Sequence, residues 1–428
     1  MNFQFSASRG LPAIVLTTGL LLSGETFAAG FAINDISMTG VGRAFAGAGV
    51  VGDDYSAIGF NPAGITLKGT GAQAGAVLIW EHGQVKGSAK KAGVAGGVAS
   101  GKDDISIPVT APNMFAQYKL NDSFYFGIGM YAPLGLATEY KDNWFGSDYG
   151  VDSELQAIDI APTLGYKLNE HWSFGASLIA RWGRVKMTNT SAGTGFSDFD
   201  IDGWNVYGRF GVMYEHDENT RIGLSYSTIS TEVEHTLKGD HTITGMPGAF
   251  AFLNGEHIGG TSVRLPEIWL LSGYHRHGDF GYSASVRYTR WEYFNDFTLT
   301  SSSLLDHHTS RYNWHNTWSV ALGVDWYYND IWTFRAGLGF DESPVRHSAT
   351  RTVRIPDNDR VLMSLGFTYK MTDHVKMDVG YTHIYLPTFK ARNGYSHTGM
   401  GVTPGTGDVD VKYDFNAEVI GVQFQYDF

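Results

Sequence analysis

The chain has no cysteine, so disulfides, thiolate nucleophiles and thiolate metal sites are excluded. It has no excess of basic residues. With 31 Lys and Arg against 43 Asp and Glu the net charge is −12, which argues against a nucleic-acid partner. Beyond the first 28 residues it has no apolar run long enough to cross a membrane as a helix. Only 12 of its 428 residues are proline. What it has instead is 54 Gly, 26 Phe, 23 Tyr and 11 Trp. That mixture suits strands, tight turns and a membrane interface.

The N-terminus reads as a secretion signal. Arg9 precedes an apolar run from Leu11 to Ser23, and Thr26-Phe27-Ala28 follows with small residues where a signal peptidase cuts. Cleavage after Ala28 is predicted, leaving Ala29-Gly30-Phe31 as the mature start.

From about residue 71 onward, apolar and polar residues alternate with period two. The last strand is the clearest: Ile420, Val422, Phe424, Tyr426 and Phe428 share one face, with Gly421, Gln423, Gln425 and Asp427 on the other. Residues 332–340, 282–289 and 361–369 repeat the pattern. Apolar residues outward and polar residues inward make the pattern of a transmembrane barrel, although a soluble sandwich alternates too. The turns decide between them. Asn121-Asp122, Asn169-Glu170, Asp217-Glu218, Gly278-Asp279, Asn329-Asp330 and Thr372-Asp373 recur 43 to 61 residues apart. Each interval holds two spanning strands and one longer loop. Six short turns separate seven such units, which predicts a 14-stranded antiparallel transmembrane β-barrel. Both ends would lie on the periplasmic side, in the outer membrane of a Gram-negative bacterium.

Residues 29–70 do not alternate. Gly40–Gly47 is rich in small residues, Asp53-Asp54 follows, and Asn61-Pro62-Ala63-Gly64 is a turn signal. A secreted segment of this length ahead of the first strand is predicted to fold inside the lumen as a plug. The Gly40/Gly42 pair is not a dinucleotide loop, since no strand precedes it and no βαβ unit follows. The domain organisation is therefore 1–28 signal peptide, 29–70 hatch and 71–428 barrel.

In the predicted third strand, Phe124 to Leu136, Ala132-Pro133-Leu134-Gly135 stands out. Proline cannot complete a ladder in mid-sheet, and glycine permits a bulge or bend. Unsatisfied backbone must border protein or water-filled space. Such a site is either a strand end or a lateral opening. Parity also places Arg181, Arg209, Arg287 and Arg335 inside, where they either pair with acids such as Glu215 and Glu267 or meet a ligand. Met246, Phe250, Phe252 and Leu253 form an apolar set in the loop between strands seven and eight. Such a set marks either binding or packing on a neighbouring loop. The pairs His307-His308 and His275/His277 lack the spacing of any nucleophile or metal site, so no enzyme, cofactor or metal is expected.

Taken together, these motifs resemble those of the FadL family of outer-membrane long-chain fatty-acid transporters. The resemblance runs from Ala29-Gly30-Phe31 through Gly40–Gly47, Asp53-Asp54 and Asn61-Pro62-Ala63. It continues through Tyr131–Tyr140 (YAPLGLATEY), Trp172-Ser-Phe-Gly175, Leu265-Pro-Glu267 and Ser272-Gly-Tyr274. It ends with Trp332-Thr-Phe-Arg335, Phe340–Val345 and Ile355–Arg360. It implies uptake of long-chain fatty acids through a hatch-gated hydrophobic channel, with lateral exit at a kink in the third strand. Aromatic or aliphatic hydrocarbons are the alternative cargo, and a diffusive porin is disfavoured by the hatch. The substrate-binding residues it suggests are Phe31, Ile33, Asn61, Pro62, Ala63, Arg181, His315, Phe250, Phe252 and Leu253. The exit would comprise Ala132, Pro133, Leu134 and Gly135. Where the family carries basic residues for the carboxylate, this chain has Asn189 and the region of His315, and its loop near Thr188–Asp200 reads as short. Outer-membrane lipid and lipopolysaccharide are the expected surroundings, and Phe428 resembles the C-terminal signal read by the barrel assembly machinery.

Overall fold

The computed structural model describes residues 34–91, 97–191, 195–228, 235–294, 296–303, 307–393 and 406–428. Strands dominate it, and each closes antiparallel on its sequence neighbours. The first six are β1 (Gly71–Lys90), β2 (Val98–Lys119), β3 (Phe124–Glu139), β4 (Asp152–Lys167), β5 (Trp172–Ser191) and β6 (Gly195–Glu215). Four follow in two pieces each: β7 (Thr220–Ser227, His235–Thr244), β8 (Gly255–Val263, Glu267–His277), β9 (Phe280–Arg290, Asp296–Ser301) and β10 (His307–Arg311, Thr317–Tyr327). The last are β11 (Trp332–Asp341), β12 (Arg360–Lys370), β13 (Val375–Tyr385, Phe389–Asn393) and β14 (Thr406–Asp427). Pairing of β1 with β14, from Gly71 opposite Asp427 to Ala89 opposite Val409, closes the cylinder. The strand number is the 14 that the turns predict.

The alternation sets which face meets lipid. On β3, Phe124, Phe126 and Ile128 point outward, while Tyr125 and Tyr131 point inward and are buried. Tryptophans form two outward girdles: Trp80, Trp204, Trp269 and Trp318 towards the long-loop end, Trp172 and Trp326 at the short-turn end. The short turns share one device. Asn121, Asn169 and Asn329 each turn a side-chain oxygen onto two backbone amides just ahead, at 2.8–2.9 Å.

Residues 34–70 pack against the inner wall as a plug of short helices: α1 (Met38–Val41), α2 (Ala57–Phe60) and a 3-10 turn, Pro62–Leu67. Asp54 organises it, accepting hydrogen bonds from Ser37 Oγ (2.6 Å), Thr39 Oγ1 (3.0 Å) and Ser56 Oγ (2.6 Å). Asp53 and wall residue Asp325 hold Arg43 at 2.8 and 3.0 Å. Arg335 reaches the same two acids at 3.0 and 3.1 Å. Two buried arginines facing buried Asp325 and half-buried Asp53 leave little net charge, which is the condition for burying ions. Asn61 Oδ1 caps Ala63 N, and Asn61 Nδ2 reaches Val212 O at 3.2 Å.

Wall glycines let this plug approach. A Cβ on Gly337 would overlap the Arg43 backbone, and one on Gly175 would overlap Pro62. Gly337→Val is expected to unseat the plug at a cost of about 1–3 kcal/mol, from overpacking, while the outer wall still forms. Amide exchange at residues 38–54, measured beside exchange in β11, would report it; unchanged plug protection would contradict it.

The structure corrects several expectations. β3 continues to Glu139, so Pro133 is not a strand end. β5 runs to Ser191 and β6 starts at Gly195, so strand takes up most of Thr188–Asp200 and the loop between them is short. Glu215 pairs with Lys167 at 3.2 Å, and Glu267 with Arg290 at 3.2 Å and Tyr226 Oη at 2.9 Å. Neither acid serves an inward arginine, because both sit near strand ends. Residues 1–28, Phe31 and Ile33 lie outside the described residues.

Candidate functional site: a cavity beside a break in the wall

The break is visible in the register. β3 follows β2 from Tyr125 opposite Lys119 to Tyr131 opposite Asn113, and there their ladder ends. Beyond it, among the described residues, β2 pairs with β1 and β3 pairs with β4. On the β4 side, Tyr131 faces Asp159 and Leu134 faces Ala157. Ala132 and Pro133 thus share the single opposing residue Ile158, which is a β-bulge. Proline at that point contributes no amide proton towards β2. Leu134 and Gly135 are back in register, so the irregularity lies at Ala132-Pro133 and not at Gly135. At the far end of the unpaired stretch, the Lys141 backbone amide and Nζ bond Asp103 at 2.9 and 2.7 Å. The β2–β3 ladder is therefore interrupted between Asn113–Tyr131 below and Asp103–Lys141 above, a stretch termed the window.

Beside the Ala132-Pro133 bulge, on the inner side of β3, lies a cavity of about 80 Å³. Pro133, Leu134 and Tyr131 line it from β3, Ile36, Gly59 and Phe60 from the plug, and Leu265, Ile268 and Leu270 from β8 and the break between its two pieces. Three arginines also line it, Arg181, Arg209 and Arg287, each inward by strand parity. Their partners differ. Arg181 is bidentate on Asp159 (Nε–Oδ1 2.6 Å, Nη2–Oδ2 2.8 Å) and donates to Tyr207 Oη at 2.6 Å. Its charge is neutralised. Arg209 meets only neutral oxygens: Ser227 Oγ at 2.9 Å, Tyr131 Oη at 3.1 Å and Ile58 O at 3.2 Å. Arg287 bonds the amide oxygen of Asn34, and its Nε has no partner. Among the described residues neither Arg209 nor Arg287 makes an ion pair. Asp35, beside Asn34, is pushed up to about 7 mainly by burial, so it supplies no full negative charge near neutrality. The cavity wall thus carries two arginines that no carboxylate contacts directly, Arg209 buried and Arg287 half-buried, with Asp159 and Asp341 the acids whose charges reach them. A buried charge left so is costly unless an anion joins it.

Asn113, at the foot of the window, is buried, and neither its amide nitrogen nor its amide oxygen has a partner. Asn113→Val is expected to stabilise the barrel by about 1–3 kcal/mol by removing unsatisfied polar atoms. Thermal unfolding in detergent checks this; a lower melting temperature would mean the amide is satisfied after all. A wider dent of about 770 Å³, lined by Leu322, Leu338, Met363 and Leu365, lies on the lipid-facing outside and is separate from the bore.

Of the site residues suggested by sequence, the structure brings Arg181, Pro133 and Leu134 to the cavity. Asn61, Pro62 and Ala63 instead seat the plug against Gly175 and Gly211 and are not among the lining residues. His315 lies elsewhere, with Nδ1 at 2.6 Å from Pro344 O and Nε2 at 3.3 Å from Glu342. Asn189 accepts from Arg354 at 3.1 Å beneath the β11–β12 loop. The loop set divides. Leu253 and Met246 are buried with Ile243, while Phe250 and Phe252 are exposed on a 3-10 turn. Asp159, Tyr207, Tyr131 and Asn113 escaped the sequence reading. Asp159, between outward Ile158 and Ile160, carried a parity signal that could have nominated it.

The family described as outer membrane protein transport protein (OMPP1/FadL/TodX) matches residues 19–428. The long-chain fatty acid transport protein of Salmonella typhi is 31% identical over 389 residues, covering 82% of this chain and 86% of its own. Its counterpart in Escherichia coli K12 is 29% identical, with the same coverage. Among solved structures, a Pseudomonas aeruginosa FadL homologue superposes with a TM-score of 0.81 at 22% identity, over 94% of this chain and all of that one. The Pseudomonas putida toluene transporter TodX gives 0.68 at 18% identity, over 87% and 94%. At these identities the two structures speak for the fold alone.

Proposed function

The chain belongs to the OMPP1/FadL/TodX family of outer-membrane transport proteins, and from that premise we propose that it carries long-chain fatty acids inward. It is a β-barrel of a Gram-negative outer membrane, and its relatives named above transport hydrophobic small molecules. In this reading the short-turn end faces the periplasm and the long loops face outward. A fatty acid lands near exposed Phe250 and Phe252, enters the bore past the plug, and rests with its carboxylate near Arg209 and Arg287. It then leaves sideways between β2 and β3, where no ladder hydrogen bonds need to break. Phe31 and Ile33 join the tail's path by family resemblance.

One observation carries the choice of substrate: Arg209 and Arg287, neither contacted by a carboxylate among the described residues, face a partly apolar cavity beside the bulge in β3. A carboxylate answers both, giving charge-assisted hydrogen bonds in a dry site. A hydrocarbon would leave them unanswered. Uptake of aromatic or aliphatic hydrocarbons is the second reading, favoured by the apolar share of the cavity and by the neutralised Arg181. A deletion strain complemented with this gene decides between them. Growth on oleate and not on toluene or alkanes supports the proposal, and the reverse pattern replaces it with the second reading.

A further inference from the structure

The outer surface of the barrel carries a feature that uptake does not use. Beyond the Trp80 girdle the strands continue towards the long-loop end. There the register sets Lys86 directly opposite Lys102 on β2 and directly opposite Lys412 on β14. Lys412 in turn lies opposite Lys390 on β13. Four lysines thus form one row across four adjacent strands, β2–β1–β14–β13, and all are exposed. Directly opposed residues on one face have Cβ atoms about 4.5–5.5 Å apart, and like charges so placed repel. Among the described residues Lys86, Lys102 and Lys412 have no ion-pair partner, and Lys390 only approaches Asp410 at 4.0 Å.

The opposite wall shows that this is not the habit of the chain. At a corresponding height Arg184 lies opposite Asp202 and Lys186 opposite Asp200 on β6, and Asp202 also faces Lys238 on β7. Arg184 and Asp200 close to 2.5 Å. Signs alternate there, in a protein of net charge −12. Asp104 and Asp414 lie opposite Gln84, one row nearer the girdle, so the lysine row is itself undiluted. Lys86 is six residues beyond Trp80, on the order of 15 Å further out at the usual strand rise and barrel tilt. That depth is above the acyl chains and level with the phosphorylated sugars of outer-leaflet glycolipid.

We propose that Lys102, Lys86, Lys412 and Lys390 form a binding row for the phosphorylated sugars of lipopolysaccharide, anchoring this side of the barrel in the outer leaflet. The proposal rests on the outward orientation of the long loops and is independent of the transported substrate. Phosphates placed along the row would turn four repelling charges into shared hydrogen-bonded contacts.

The test is thermal unfolding of the purified protein in detergent, alone or with rough-type lipopolysaccharide, the same lipid dephosphorylated, or inorganic phosphate at equal phosphate concentration. The variants are K86Q/K412Q, the flanking pair K102Q/K390Q, and K186Q on the opposite wall. The intact lipid is expected to raise the melting temperature of the wild type and K186Q by several degrees. K86Q/K412Q should lose most of that rise, and K102Q/K390Q a smaller part. Without lipid, K86Q/K412Q should melt no lower than wild type, because repulsion has been relieved. Equal rises in wild type and both double variants, or equal rises with dephosphorylated lipid or inorganic phosphate, would overturn the proposal. Oleate uptake should be unchanged in every variant, which separates this outcome from the substrate reading.

Discussion

Deleting Pro133 is expected to bring uptake down to background while leaving a folded and more stable barrel. The register explains why deletion serves better than substitution. Tyr131 and Leu134 already face Asp159 and Ala157, both inward residues of β4. Removing one of the two residues between them leaves a single residue opposite Ile158, so everything above keeps its face. With the bulge and the proline gone, β3 can run on beside β2, whose edge from Pro112 upward lacks a β3 partner. Each ladder hydrogen bond gained contributes about 0.5–1.5 kcal/mol net, and several become available. Uptake of labelled oleate by complemented cells, together with the melting temperature of purified protein, measures both halves. Wild-type uptake by a stably folded deletion variant would show that cargo does not leave through this window.

Arg287 and Arg181 should respond in opposite ways to the same change. Arg287→Met removes a half-buried cation that no carboxylate contacts directly, so the barrel should lose little stability. Its affinity for oleate should fall about ten- to hundredfold, the equivalent of the roughly 1.5–3 kcal/mol that a charge-assisted hydrogen bond contributes. Binding of an uncharged hydrocarbon of similar length should be unaffected. Arg181→Met instead strands Asp159, whose side chain has no exposed surface. With only the neutral Tyr207 hydroxyl left on that carboxylate, loss of its buried ion-pair partner costs about 3–5 kcal/mol, so that variant should melt well below wild type. Calorimetry with oleate and its alcohol analogue, beside thermal unfolding, separates the cases. Equal oleate affinity in Arg287→Met and wild type would remove the carboxylate from this cavity and leave the hydrocarbon reading standing.

Much of the site was legible in the sequence, but unevenly. Alternation told which arginines face inward, because a strand offers only two directions. It could not tell which of them are neutralised. Asp159 meets Arg181 from the neighbouring strand, while Glu215 and Glu267, the acids that sequence suggested, are taken by Lys167 and Arg290. Resemblance suggests Asn61-Pro62-Ala63 as ligand contact, and only the structure shows that the segment seats the plug on Gly175 and Gly211. Phe250 and Phe252 could be told from Leu253 only once the 3-10 turn fixed which side chains point at Ile243. Pro133 was visible as an anomaly, and whether it ended the strand or bulged depended on where β4 resumed its pairing.

The sequence by itself determined the strand number, the face of each residue and the plug ahead of the barrel. These are local properties: alternation has a period of two residues, and an asparagine turn engages amides two and three positions ahead. The tertiary structure alone decided the window, the two arginines that no carboxylate contacts and the lysine row. Each depends on which residue of one strand stands opposite which residue of the next. That offset is set by the closure of the whole cylinder, and no single strand contains it.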